Sequence, residues 1–148
     1  MKKLPKTITY KGYVIPTGKT AVEMDKRREI INSFYQQWTE SNPSKKVKNI
    51  VLNEFIHVNQ LSKKETMQYA VRSFFETMYV LNLDLILQVA TPVKTVPAKK
   101  NKTQKPFSKM LIMKAIVPDL LKYGKTGKLT VGIRKVDANK IQYCLTAK

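Results

Sequence analysis

The apolar residues of this chain change period once, and that change limits it to a fold in which helices come mostly first and a sheet second. Ile30, Ile31, Phe34, Tyr35 and Trp38 recur at helical spacing, as do Met67, Ala70, Val71, Phe74, Phe75, Met78, Leu81 and Leu85. Beyond residue 128 the period is two. Leu129, Val131 and Ile133 alternate with Thr130, Gly132 and Arg134, and Ile141, Tyr143 and Leu145 alternate with Gln142, Cys144 and Thr146. The first pattern buries a stripe of a helix and the second buries one face of a strand. Between them, residues 91–106 hold five lysines, three prolines and no acid.

Local signals set the element limits. Residues 7–15 read as a hairpin about Lys11-Gly12, ended by Pro16-Thr17-Gly18. Thr20 and Glu23 form a capping box for a helix over about 21–40, with Lys26-Arg27-Arg28 on its solvated side. Residues 47–58 fit either period, and we read them as a short helix ending in an extended piece. Ser62 and Glu65 suggest a second capping box, opening one helix over about 63–89. Residues 91–106 cannot fill a core and are expected to form an exposed arm. A strand over 107–117, a connector with a helical turn at Asp119-Leu120-Leu121, and a hairpin turning at Asp137-Ala138-Asn139 complete the chain. The expected fold is α+β, a single domain over 1–148, with its helices packed on an antiparallel sheet of three or more strands. One sheet face is left free.

Charge is the strongest functional signal. Net charge is +18, lysine outnumbers arginine 24 to 4, and residues 85–148 carry +12 against +6 for residues 1–84. So much charge of one sign repels itself and is relieved beside a polyanion. Lysine attracts phosphate as a point charge, whereas arginine forks onto guanine, so the bias favours backbone contact over base reading. The expected nucleic-acid-binding residues are Lys94, Lys99, Lys100, Lys102, Lys105 and Lys109 of the arm, with Arg134, Lys135 and Lys140 of the hairpin. Tyr10, Tyr13, Tyr123 and Tyr143 are candidates to stack on unpaired bases.

Several chemistries are excluded or thinly supported. One cysteine, Cys144, and one histidine, His57, cannot build a Cys/His zinc cage. Gly18-Lys19-Thr20 and Gly124-Lys125-Thr126 end like phosphate loops, but the glycine five residues earlier is replaced by Tyr13 and Asp119. The ten acids are mostly scattered, which does not suit a carboxylate-held Mg²⁺. No cofactor is expected. The basic N-terminus lacks the apolar run of a signal peptide, and Tyr79 to Ala90 is too short and polar to span a membrane. The expected setting is therefore the cytoplasm or a nucleoprotein particle such as a virion.

The reading from sequence is a non-enzymatic, low-specificity nucleic-acid-associated protein. One alternative is a structural subunit of a nucleoprotein particle with acidic protein neighbours, in which homo-oligomerisation is open. Another is a small metal-independent ribonuclease drawing on His57, Arg134, Lys135, Lys140 and Tyr143.

Overall fold

The computed structural model describes residues 4–148. Strands β1 (Thr7–Tyr10) and β2 (Tyr13–Pro16) form the expected hairpin. Lys11 and Gly12 take φ of 50° and 84°, the left-handed pair that a two-residue turn of matching twist requires. Helix α1 (Ala21–Ser41) opens on the expected capping box of Thr20 and Glu23.

Arg27 overturns the solvated reading of its segment. It is fully buried. Its Nε donates to Val71 O at 2.8 Å, and its Nη1 donates to Pro16 O at 2.8 Å and Gly18 O at 2.7 Å. One planar guanidinium thus ties the N-terminal hairpin, the start of α1 and the following helical layer through carbonyls that would otherwise be orphaned.

Residues 47–58 form no helix. They are the hairpin of β3 (Lys46–Asn49) and β4 (Glu54–His57), with Asn53 in the left-handed region at φ 55°. Asn49 explains the preference. It is fully buried, and its Nδ2 donates to Leu87 O (2.8 Å) and Ala90 O (3.0 Å), capping a helix far along the chain.

The single helix expected over 63–89 is three: α2 (Gln60–Ala70), α3 (Phe74–Val80) and α4 (Leu83–Val89). The box that opens α2 is Asn59 with Ser62, one turn earlier than Ser62 with Glu65. The breaks have side-chain causes. Ser73 is extended, and its Oγ accepts the Glu76 N–H at 3.1 Å. Asn82 Nδ2 donates to Met78 O at 2.9 Å. Both side chains offer the backbone an alternative to the helical ladder. The breaks let α3 and α4 turn separately onto the core, leaving Phe74, Met78, Tyr79, Leu83, Ile86 and Leu87 buried.

Strands β5 (Thr91–Pro97), β6 (Phe107–Ala115), β7 (Gly127–Arg134) and β8 (Lys140–Ala147) complete the sheet, with the helical turn α5 (Pro118–Leu121) between β6 and β7. The order is β3-β4-β8-β7-β6-β5. The sheet is mixed rather than antiparallel, because β4 meets β8 in parallel at Ile56↔Lys140 and His57↔Ile141. A parallel pair needs a long crossover, and everything from α2 to β7 supplies it. Among the described residues the fold is thus α+β, with five helices, this six-stranded sheet and the two-stranded hairpin.

Leu111, Met113, Leu129, Val131 and Leu145 face the helices and share their core. Gly127 lies beneath the ring of Tyr79, where a Cβ would come within 2.1 Å of ring carbons. The opposite face carries a smaller apolar cluster of Phe107, Met110, Ile141 and Tyr143.

Residues 91–106 are not a free arm. β5 pairs with β6 as an edge strand, and Pro92 and Pro97 sit where an edge tolerates them. Residues 98–106 fold back over the smaller cluster. Gln104 is buried and its Oε1 accepts the Lys99 N–H at 2.7 Å, while Asn101 Oδ1 accepts the Gln104 N–H at 2.9 Å. Thr103 Oγ1 and Tyr143 Oη are hydrogen-bonded at 2.6 Å. The amides among the lysines hold this loop down, aided by Val96 and Ala98 packing on the cluster.

Candidate nucleic-acid interface

The sheet face away from the main helical core forms a trough of about 1090 Å³. Its floor includes Ile112 of β6, Thr130 of β7, and Cys144 and Thr146 of β8. These residues share strand parity, so their side chains leave the sheet on one side. One wall is α2, through Glu65, Gln68 and Tyr69, with Arg72 just beyond its C-terminus; the other is β5 with the folded loop. α2 reaches this position because it packs along β8, where Gln142 Nε2 donates to Thr66 Oγ1 at 2.6 Å.

Six cations line the trough, Arg72, Lys99, Lys102, Lys114, Lys128 and Lys148, against the two acids Glu65 and Glu76. The central pair is Lys114 and Lys128, which are register partners on adjacent strands. Like charges directly opposite each other on one face of a sheet are destabilising. Among the described residues the four ion pairs are Lys26–Glu29, Arg28–Asp25, Arg134–Asp137 and Lys140–Glu54, and none uses a trough cation. Other acids are committed to hydrogen bonds away from the trough: Glu23 to the α1 cap, Asp84 to Trp38 Nε1 at 2.6 Å, and Asp119 to Tyr10 Oη at 2.5 Å. Burial raises the Glu76 carboxyl, against the pull of Arg72 and Lys148. The half-buried Cys144 thiol is likewise pushed up by burial, with Lys128 pulling it down.

The residues expected from sequence are dispersed around this trough. Lys99 and Lys102 line it. Lys94 stands exposed on β5 opposite Ile112, and Lys100 and Lys105 are exposed on the folded loop. Lys109 has the parity of Leu111 and so leaves the sheet on the helical side. Lys135 is exposed in the β7–β8 turn. Arg134 is engaged by Asp137 and Lys140 by Glu54. Arg72, Lys114, Lys128, Lys148 and Tyr69 were not read from the sequence. The lysines of β6 and β7 carry an alternation signal, but their meeting depends on a register that alternation alone does not supply.

The stacking candidates fare unevenly. Tyr10 is tied to Asp119 and Asn82, and Tyr123 packs against Phe74 and Phe75. Tyr13 donates to Gln37 Oε1 at 3.2 Å. Tyr143 is buried edge-to-face on Phe107. Tyr69 is the half-buried ring in the trough wall, with the Arg72 guanidinium 4.9 Å from its centroid.

The phosphate-loop likeness at Gly18 ends in an internal contact, since Gly18 N–H donates to Glu23 Oε2 at 2.8 Å. His57 lies in register with Ile141, three residues from Cys144, and its charged surroundings are Lys46, Arg134 and Asp137. Burial lowers its pKa, and the two cations add to that. Of the set considered for ribonuclease chemistry, Arg134 is engaged by Asp137, Lys140 by Glu54 and Tyr143 by Thr103. Among the described residues no three of His, Cys, Asp and Glu converge as a metal site, and no helix is long and apolar enough to cross a membrane. Comparisons with protein-family models, with curated proteins and with solved structures give no match, so the trough is interpreted from its own chemistry.

Proposed function

We propose that this chain is a non-enzymatic, low-specificity nucleic-acid-associated protein that contacts the phosphate backbone through the lysine-lined trough and the folded 98–106 loop. The observation that carries this reading is the opposed pair Lys114 and Lys128 on the floor of the trough, with no carboxylate among the described residues bridging them. A protein that places like charges face to face with no carboxylate ion-paired to either is arranged for an external anion. Phosphates along one backbone satisfy several such lysines together, with release of counterions.

The test is affinity for DNA and RNA oligonucleotides across a salt series. Engagement of all six trough cations gives a slope of log K on log salt of about −4 to −5. Replacing Lys114 and Lys128 by Ala brings the slope toward zero by about 1.5. Uniformly weak binding at low salt, or a slope indifferent to the double replacement, overturns the proposal. The same incubations, run with labelled RNA in EDTA, report cleavage if the ribonuclease reading is the true one.

A further inference from the structure

Resting on that reading of the trough, we propose that its occupant is a single strand of nucleic acid, seated with phosphates on Lys114 and Lys128 and a base stacked on Tyr69, and that a duplex is excluded.

Width is the first argument. The floor runs from β5 to β8, three interstrand spacings or about 14 Å between backbones, and side chains from both walls narrow it further. α2 stands along one side, and β5 with the folded loop along the other. A duplex, with two backbones around a stacked core, rides on the rims of such a trough without reaching Lys114 or Lys128. A single strand lies in it.

The layering of the site is the second argument. Lysines occupy the floor and rims, while Ile112 and Tyr69 supply apolar surface among them. An unpaired strand presents both matching chemistries, phosphate on one side and exposed base faces on the other. A duplex, or an extended acidic peptide, presents charge without those faces. Tyr69 is suited to stacking because Arg72 lies against its ring, and among the described residues no other aromatic ring packs on it. Tyr143, the other tyrosine of the trough, is held by Thr103 and Phe107 and has no free face to offer.

The experiment measures fluorescence anisotropy of the full chain with three labelled probes: an oligo-dT of about 15 nucleotides, a blunt duplex of equal length, and polyglutamate. We expect the single strand to bind at least about 10-fold more tightly than the duplex at the same salt. Tyr69→Ala should weaken oligo-dT by about 5- to 100-fold and leave both the salt slope and the duplex affinity unchanged. Tyr69→Phe, which keeps the ring, should bind as the parent does and serves as the folding control. Equal affinity for duplex and single strand, or indifference to Tyr69→Ala, overturns the inference while leaving backbone binding intact. Polyglutamate binding as tightly as oligo-dT assigns the trough to an acidic protein instead. Failure to bind any nucleic acid overturns both this inference and the function proposed above.

Discussion

Two tyrosines show how differently one hydroxyl can contribute. Tyr79 is fully buried under the sheet, and among the described residues its Oη has no hydrogen-bond partner. An unmet polar atom in a core costs its desolvation without return. Tyr79→Phe should therefore leave the melting temperature unchanged or raise it, as differential scanning calorimetry will show. Tyr10 is the opposite case. Its Oη donates to Asp119 Oδ2 at 2.5 Å and accepts from Asn82 Nδ2 at 3.0 Å, pinning the N-terminal hairpin to the body. Burial, reinforced by the hydrogen bond to Asp119, pushes its pKa to about 12. In the unfolded chain tyrosine ionises near 10. A raised folded value means this contribution is complete below about pH 10 and is lost as pH rises through about 12. Urea denaturation at successive pH values should show a stability loss across that window, and the loss should be shallower in Tyr10→Phe. Identical pH profiles would show that the hydroxyl has no such role.

At the scale of elements, polar side chains inside apolar patterns decide where each piece begins and stops. α2 begins at Asn59, whose Oδ1 accepts the Ser62 N–H at 3.1 Å while Ser62 Oγ accepts the Asn59 N–H at 3.0 Å. Asn59→Ala should destabilise the fold by about 1 kcal/mol. Glu65→Ala would have a comparable effect on the cap if the box lay one turn later, so denaturation midpoints of the two variants separate the alternatives. The sequence made the strong periodicities legible: α1 with its cap, the N-terminal hairpin, and β7 with β8. It also made legible a helical apolar stripe running from Met67 to Leu85. It did not show the breaks at Ser73 and Asn82, because a lone Ser or Asn is common within helices and acts only when its neighbours fix its geometry. Nor did it show that Lys99 to Lys105 would fold down, since the anchors are the side-chain amides of Asn101 and Gln104 rather than an apolar pattern. The site was legible as an excess of lysine in the last third of the chain. Its position was not, because Lys114 meets Lys128 only through strand register, and Tyr69 and Arg72 arrive on α2 and the turn after it, from the other half of the chain.

At the scale of the whole molecule, a net charge of +18 on 148 residues sets binding against stability. Self-repulsion lowers the stability of the compact state, and salt screens it. The trough concentrates that conflict where Lys114 and Lys128 stand opposite each other. Lys114→Glu converts a repelling cross-strand pair into an attracting one, and such pairs are worth about 0.2–1 kcal/mol. Two opposite outcomes should therefore follow from one replacement. The melting temperature should rise, most clearly at low salt where screening is weakest. Affinity for oligonucleotides should fall, with a smaller salt slope, because one cation is lost and its neighbour becomes internally paired. A residue kept only for solubility would not couple the two effects, since reversing its charge would leave binding untouched. A replacement that raises stability and removes binding together identifies a position whose strain is maintained for a ligand. If Lys114→Glu lowers the melting temperature, or leaves oligonucleotide affinity unchanged, the opposed lysines are not the anion-seeking centre of the trough.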